Sequence, residues 1–140
     1  MENRQKPPPK GFWLLRSFKR AFLGLKVGFE ERNFRRHLVS TAGVLFCSIY
    51  YKLSPIELAI IIACCGLVLS FELMNTSIER IARELKNPRQ ALDVAAASVL
   101  VASLFSLIIG LIFLVPKAIH SPYVLIGTVI VIPLIWVVLD

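Results

Sequence analysis

Three polar residues share a spacing that suits chemistry. Glu72, Asn75 and Glu79 stand at i, i+3 and i+7, directly after the apolar run from Ile56 to Phe71, whose one charge, Glu57, lies at its start. At ~3.6 residues per turn they fall on one helix face. An ionisable side chain at the end of such a run is costly to place and is a functional candidate by default. Partial desolvation suits Glu72 to act as a general base near neutral pH. The competing reading is a helix-end carboxylate paired with a neighbour. Two acids and an amide on one stripe favour chemistry. A second acidic pair, Glu30-Glu31, sits in the basic N-terminal segment. If that segment packs beside the end of the helix carrying Glu79, Glu31 and Glu79 can approach each other. Two carboxylates with waters and phosphate oxygens make a magnesium site. The alternative is ion pairing of these acids with Arg32, Arg35 or Arg36. Asp93, in the second turn of a helix expected to be capped at Asn87, either contacts a nucleotide or simply pairs.

The elements that must position these residues are helices in a membrane. The chain has 140 residues, is 56% hydrophobic and has a mean hydropathy of +0.71. A single small soluble domain has too much surface to hide so many apolar groups. The apolar residues form four runs: Leu38 to Leu53, Ile56 to Phe71, Val94 to Val115 and Tyr123 to Leu139. A net charge of +7 raises nucleic acid as a partner, but its distribution argues against one. Ten of the sixteen Lys and Arg lie in residues 1–36 and four in residues 80–89, leaving Lys52 and Lys117 for the other connections. That is the positive-inside bias, and it places both basic segments in the cytoplasm.

Phe18, Phe22, Leu25 and Phe29 recur at helical spacing among Lys19, Arg20 and Lys26, the pattern of a basic amphipathic helix at a membrane interface. A soluble partner helix is the alternative. Helix starts are expected near Pro55, Pro88 and Pro122, each after a capping Ser or Asn, with Glu57 and Gln90 completing the first two caps. Pro133 is expected to kink the last helix. A helix from Pro55 through Ile81 would be about 40 Å long at ~1.5 Å per residue, longer than the hydrocarbon layer, so its polar end projects into the cytoplasmic interface. The fold expected is an all-α integral membrane bundle. A disordered arm over 1–10 precedes a domain over 11–116, with a surface helix at 11–36 and spans at about 37–53, 55–82 and 88–115. A further apolar helix over 117–140 is expected as a fourth span. Gly24 and Gly28 form a GxxxG that suggests close helix packing. Cys47, Cys64 and Cys65 read as small core residues, and His37 and His120 stand alone. No phosphate-binding loop, dinucleotide fingerprint or HExxH is present.

The segment Glu72-Leu-Met-Asn75-Thr76-Ser77-Ile78-Glu79 resembles the E-x-x-N-[TS]-x-I-E signature of the small bacterial diacylglycerol kinase and undecaprenol kinase family. The likeness extends to Ser17–Gly24 as a surface helix, Glu31–His37, Ser54-Pro55-Ile56-Glu57 and Asp93-Val94-Ala95-Ala96, and covers roughly residues 12–115. It implies a homotrimer in the bacterial inner membrane, multi-pass, with a cytoplasmic N-terminus. It implies transfer of the ATP γ-phosphate to a lipid hydroxyl, undecaprenol or diacylglycerol, with magnesium. By position, Glu72 would be the base and Asn75 would orient the hydroxyl. Glu31 and Glu79 would hold the metal. Asp93 would lie at the nucleotide, with Arg20 where the family usually has Tyr. Phosphoryl transfer needs mainly positioning and charge neutralisation, so the two readings agree. The chain departs from the pattern at Arg83, where Asp is common, and at Leu92, where Lys is common. It also departs at Trp13, where Arg is usual, and in a shorter 80–92 loop. These departures support a competing reading, a lipid-binding or assembly protein without nucleotide chemistry. A small transporter using Glu72 as a proton-coupled carboxylate is a third, which the Glu72/Asn75/Glu79 stripe fits poorly.

Overall fold

The computed structural model describes residues 10–86 and 88–138, with side chains from Trp13 onward. The expected arm, apart from Lys10, and the expected cap at Asn87 lie outside the described residues. Among the described residues the chain is all-helical: α1 (Lys10–Glu30), α2 (Arg32–Tyr50), α3 (Pro55–Ala82), α4 (Arg89–Ala118) and α5 (Tyr123–Val138).

α3 begins as the sequence requires. Ser54 Oγ accepts from the Glu57 amide at 3.3 Å, while the Ser54 amide donates to Glu57 Oε2 at 2.6 Å, so two orphan donors of the first turn are satisfied reciprocally. The other two helices also start near the expected prolines. Pro88 occupies the N-cap position of α4 with no side-chain cap bond, and the helix opens at Arg89. At α5 the helix opens at Tyr123, and the capping oxygen comes from another element. Tyr51 Oη accepts from the Leu125 amide at 3.1 Å and donates to the Ser121 carbonyl at 2.7 Å. A phenol at the end of α2 thus does the work expected of Ser121. α5 continues through Pro133, and α4 through Pro116.

The helices run up and down. α3 and α4 are tied at one end by Lys117 Nζ to Glu57 Oε2 (2.9 Å) and further along by the Ser106 hydroxyl, which donates to Ala102 O (2.7 Å) and Cys64 O (3.4 Å). α5 lies antiparallel on α2. Cys47 Sγ and Thr128 Oγ1 meet at 3.2 Å, and Gly43 lets the two backbones close, since a Cβ there would stand 2.5 Å from Ile132 Cδ1. The α2–α3 turn is a Schellman motif: Leu53 N donates to Ser48 O and Lys52 N to Ile49 O, with Lys52 at φ 53°.

α3 and α4 are long and apolar enough to cross a membrane. The expected first and fourth spans are shorter of apolar length: α2 opens on Arg32-Asn33-Phe34-Arg35-Arg36-His37, and α5 has 16 residues. Large apolar side chains such as Leu100, Phe105, Ile112, Val129 and Leu134 are exposed. A continuous apolar exterior of this kind belongs in a lipid solvent or against a partner.

Candidate functional site

One end of the bundle gathers the acidic residues, and a one-residue break does it. α1 and α2 are separated by Glu31 alone, whose backbone is extended (φ −83°, ψ 132°). An acidic N-cap side chain ordinarily folds back onto its own helix amides. Glu31 makes no such cap bond; its Oε1 instead accepts from Arg80 of α3 at 3.1 Å, and Glu30 Oε2 lies 3.8 Å from the same guanidinium. The break is braced from both sides. Arg35 Nη1 donates to the terminal α1 carbonyls of Phe29 (3.4 Å) and Glu30 (3.3 Å), which helix geometry leaves without amide partners. Phe29 and buried Phe34 meet edge to face across it, ring centroids 5.5 Å apart. Buried Gly28 brings α1 against α3, where a Cβ would stand 2.5 Å from Leu73 Cδ2. Gly24, the other half of the expected GxxxG, faces open space. The stretch 11–36 is therefore two helix pieces, not one, with residues 32–36 in the first turns of α2.

The expected stripe on α3 is present. Glu72 and Asn75 are 3% and 6% exposed, although they stand at the polar end of the helix. Asn75 Nδ2 donates to Glu79 Oε1 at 2.9 Å. A carboxylate can only accept, so this bond fixes the amide orientation and leaves Asn75 Oδ1 as the second atom. Asn75 Oδ1 is buried with no hydrogen-bond partner among the described residues. Buried acceptors are seldom left so, and an orphan at a candidate site calls for a donor from outside the chain. Glu72 makes no hydrogen bond or ion pair among the described residues, and Glu79 and Glu31 are near enough to act on it electrostatically. At ~1.5 Å per residue, Glu72 lies about 25 Å along α3 from Pro55 and Glu79 about 36 Å.

Four of the six sequence-picked residues, Glu31, Glu72, Asn75 and Glu79, come together. Arg20 on α1 and Asp93 on α4 are exposed, and no hydrogen bond or ion pair joins either to that group among the described residues. Arg83 ends α3 as an exposed C-cap with no ion pair to Glu79. Among the described residues no three His, Cys, Asp or Glu side chains cluster as a ready metal cage. Sequence reasoning missed Arg80 as the partner of Glu31, looking instead to Arg32, Arg35 and Arg36. The signal lay in Arg80 following Glu79 directly, one position off the stripe.

The chain matches the sequence profile described as Prokaryotic diacylglycerol kinase over residues 19–114. It is 37% identical over 108 residues to the undecaprenol kinase of Bacillus subtilis (strain 168), covering 73% of this chain and 88% of that protein. It is 32% identical over 126 residues to the diacylglycerol kinase of Synechocystis sp. (strain ATCC 27184 / PCC 6803 / Kazusa), covering 80% of this chain and 71% of that one. No solved structure matches. A profile match spanning α2, α3 and nearly all of α4, and two kinase relatives covered over most of their length, agree with a carboxylate-and-amide stripe at a helix end: the chain belongs to the prokaryotic diacylglycerol kinase family.

Proposed function

We propose that this protein is an active lipid kinase of the bacterial inner membrane, multi-pass and homotrimeric, with its N-terminus in the cytoplasm. It transfers the ATP γ-phosphate to the hydroxyl of a lipid alcohol, undecaprenol or diacylglycerol, at the cytoplasmic interface. α1 lies on the membrane surface with Phe18, Phe22 and Phe29, all exposed, in the acyl boundary. α2 to α5 cross the bilayer, which puts Glu31, Glu72, Asn75 and Glu79 at the cytoplasmic end.

The observation that carries this reading is the orphaned Asn75 Oδ1 beside buried Glu72. The lipid hydroxyl donates its one proton to Asn75 Oδ1 on arrival, which orients it, and then turns that proton to Glu72, which takes it as the oxygen attacks the γ-phosphorus and ADP leaves. Glu31 and Glu79 fit magnesium: they supply hard oxygen donors from the α1–α2 junction and from α3, and that ion is commonly held by one or two carboxylates plus phosphate oxygens and waters. When bound, magnesium neutralises charge on the transferring phosphate. Arg80, already on Glu31, is placed to exchange that carboxylate for a phosphate oxygen. Arg20 and Asp93 are assigned to the outer part of the nucleotide site.

A second reading, a family member without nucleotide chemistry, is favoured by the separation of Arg20 and Asp93 from the carboxylates and by Leu92 and Arg83. One experiment separates the two. Purified protein in mixed micelles is given γ-labelled ATP, magnesium and either lipid, with nucleotide binding measured in parallel. Label transferred to a lipid supports the kinase. ATP binding absent together with no transfer to either lipid overturns it in favour of the second reading.

A further inference from the structure

Between α2, α3, α4 and α5 lies a cavity of about 370 Å³, walled chiefly by aliphatic side chains. α5, which lies beyond the family match ending at residue 114, supplies one wall. Along α3 the wall residues Ile61, Cys65 and Val68 continue at the same spacing of three and four into Glu72, Asn75 and Glu79. Cavity and carboxylates therefore lie on one face of one helix. Val68 and Glu72 are four residues, about 6 Å, apart along the axis.

Among the described residues, two lining groups have no partner. Ser103 Oγ on α4 and Trp136 Nε1 on α5 are buried and make no hydrogen bond. They sit at a similar depth. The antiparallel contacts of Ser106 with Cys64 and of Gly43 with Ile132 put both beside the first turns of α2, near His37 and Ser40, which also line the cavity. An indole N–H can only donate, so the buried Trp136 Nε1 leaves room for an acceptor in the cavity.

We propose that this chamber holds one acyl chain of an ester-linked lipid alcohol, with an ester carbonyl accepting from Trp136 Nε1 and Ser103 Oγ and the free hydroxyl reaching Glu72. The inference rests on the kinase reading and names the substrate class of that site. A cavity of about 150 Å³ takes a benzene-sized guest, so this one takes roughly fifteen carbons, about one acyl chain. In an acylglycerol the nearest ester is on the carbon next to the hydroxyl-bearing one, which matches the rise of about one helical turn from the donors to Glu72. A polyisoprenol fills the same space but brings no acceptor below its hydroxyl and leaves both donors orphaned. α5 thus acts as a selectivity wall added to the kinase core, with Trp136 as a positioning residue for the lipid.

The test compares a 1,2-diacylglycerol, a dialkylglycerol with the same chains and hydroxyl but ether links, and a polyprenol as phosphate acceptors. Wild type is expected to show a KM for the diester about tenfold below that for the diether, the discrimination one or two net hydrogen bonds supply. Trp136→Phe and Ser103→Ala should raise the diester KM towards the diether value, so that the ratio of the two KM values falls to about one. A second readout needs no turnover. In Trp13→Phe protein, Trp136 is the single tryptophan, and a diacylglycerol with brominated chains should quench it saturably and more tightly than its diether counterpart. Equal use of diester and diether, or preference for the polyprenol, overturns the proposal while leaving the kinase intact. Saturable, ester-selective quenching without transfer to any lipid retains the chamber and overturns the kinase reading. Quenching that never saturates, as when a second copy of the chain fills the cavity, overturns the chamber.

Discussion

Replacing Glu72 by Gln separates chemistry from stability. The side chain is 3% exposed, makes no hydrogen bond or ion pair among the described residues, and shares its end of the bundle with Glu79 and Glu31. Gln keeps the shape, so packing against α3's neighbours is unchanged. A buried polar group without a partner costs about 1–3 kcal/mol, more when charged. Substituting a neutral amide for an acid facing two other acids is therefore expected to stabilise by about 1 kcal/mol. For a chain of this size that is about 2–4 °C in Tm, read by thermal unfolding in detergent. Transfer should fall by about 10²–10⁴, the usual contribution of a positioned base. KM for ATP should stay within about twofold, because the base does not hold the nucleotide in this reading. A variant that unfolds earlier than wild type would refute the account of Glu72 as an unpartnered buried acid. A variant that transfers phosphate at the wild-type rate would refute its role as base.

Three further outcomes are expected. Arg80 competes for Glu31 Oε1 at 3.1 Å, and an exposed pair of this kind is worth about 0.2–1 kcal/mol, so Arg80→Ala should cut the magnesium concentration for half-maximal transfer by up to about fivefold; an unchanged or higher requirement would contradict the competition. Lys52 sits at φ 53°, so Lys52→Gly should stabilise by about 0.5–1 kcal/mol after the extra freedom of glycine in the unfolded chain is set against the relief, and a lower Tm would count against the Schellman assignment. Gly24→Ala meets open space and should gain about 0.5–1 kcal/mol, whereas Gly43→Ala meets Ile132 and Thr128 on α5 and should lose about 1–3 kcal/mol; equal effects in thermal melts would refute the close α2–α5 contact.

Local features were legible in the sequence where they are made by residues close in the chain. The Ser54–Glu57 cap needs three residues of separation, and the α3 stripe needs only helical period. The break at Glu31 was not legible, because Phe18, Phe22, Leu25 and Phe29 keep helical spacing up to it and neither Gly nor Pro marks it. Its cause is tertiary: Arg80, forty-nine positions away, holds the carboxylate that would otherwise cap α2. The cap of α5 failed for the same reason, since the Tyr51 phenol arrives from across the bundle and displaces the role expected of Ser121. Of the site, the four residues on α3 and at the α1–α2 junction could be picked by type and spacing. The donors of the chamber could not. Ser103 and Trp136 carry no motif, and their lack of partners is visible only once α5 is laid against α2.

The single-residue junction between α1 and α2 has a consequence for how the chain tolerates error. One residue of slip turns everything after it by about 100° around the helix axis, enough to swing a lone carboxylate off its target. Here two glutamates stand side by side, Glu31 at 3.1 Å from Arg80 and Glu30 at 3.8 Å. Adjacent acids at this joint therefore share one guanidinium, so the loss of either carboxylate leaves the other within reach of it.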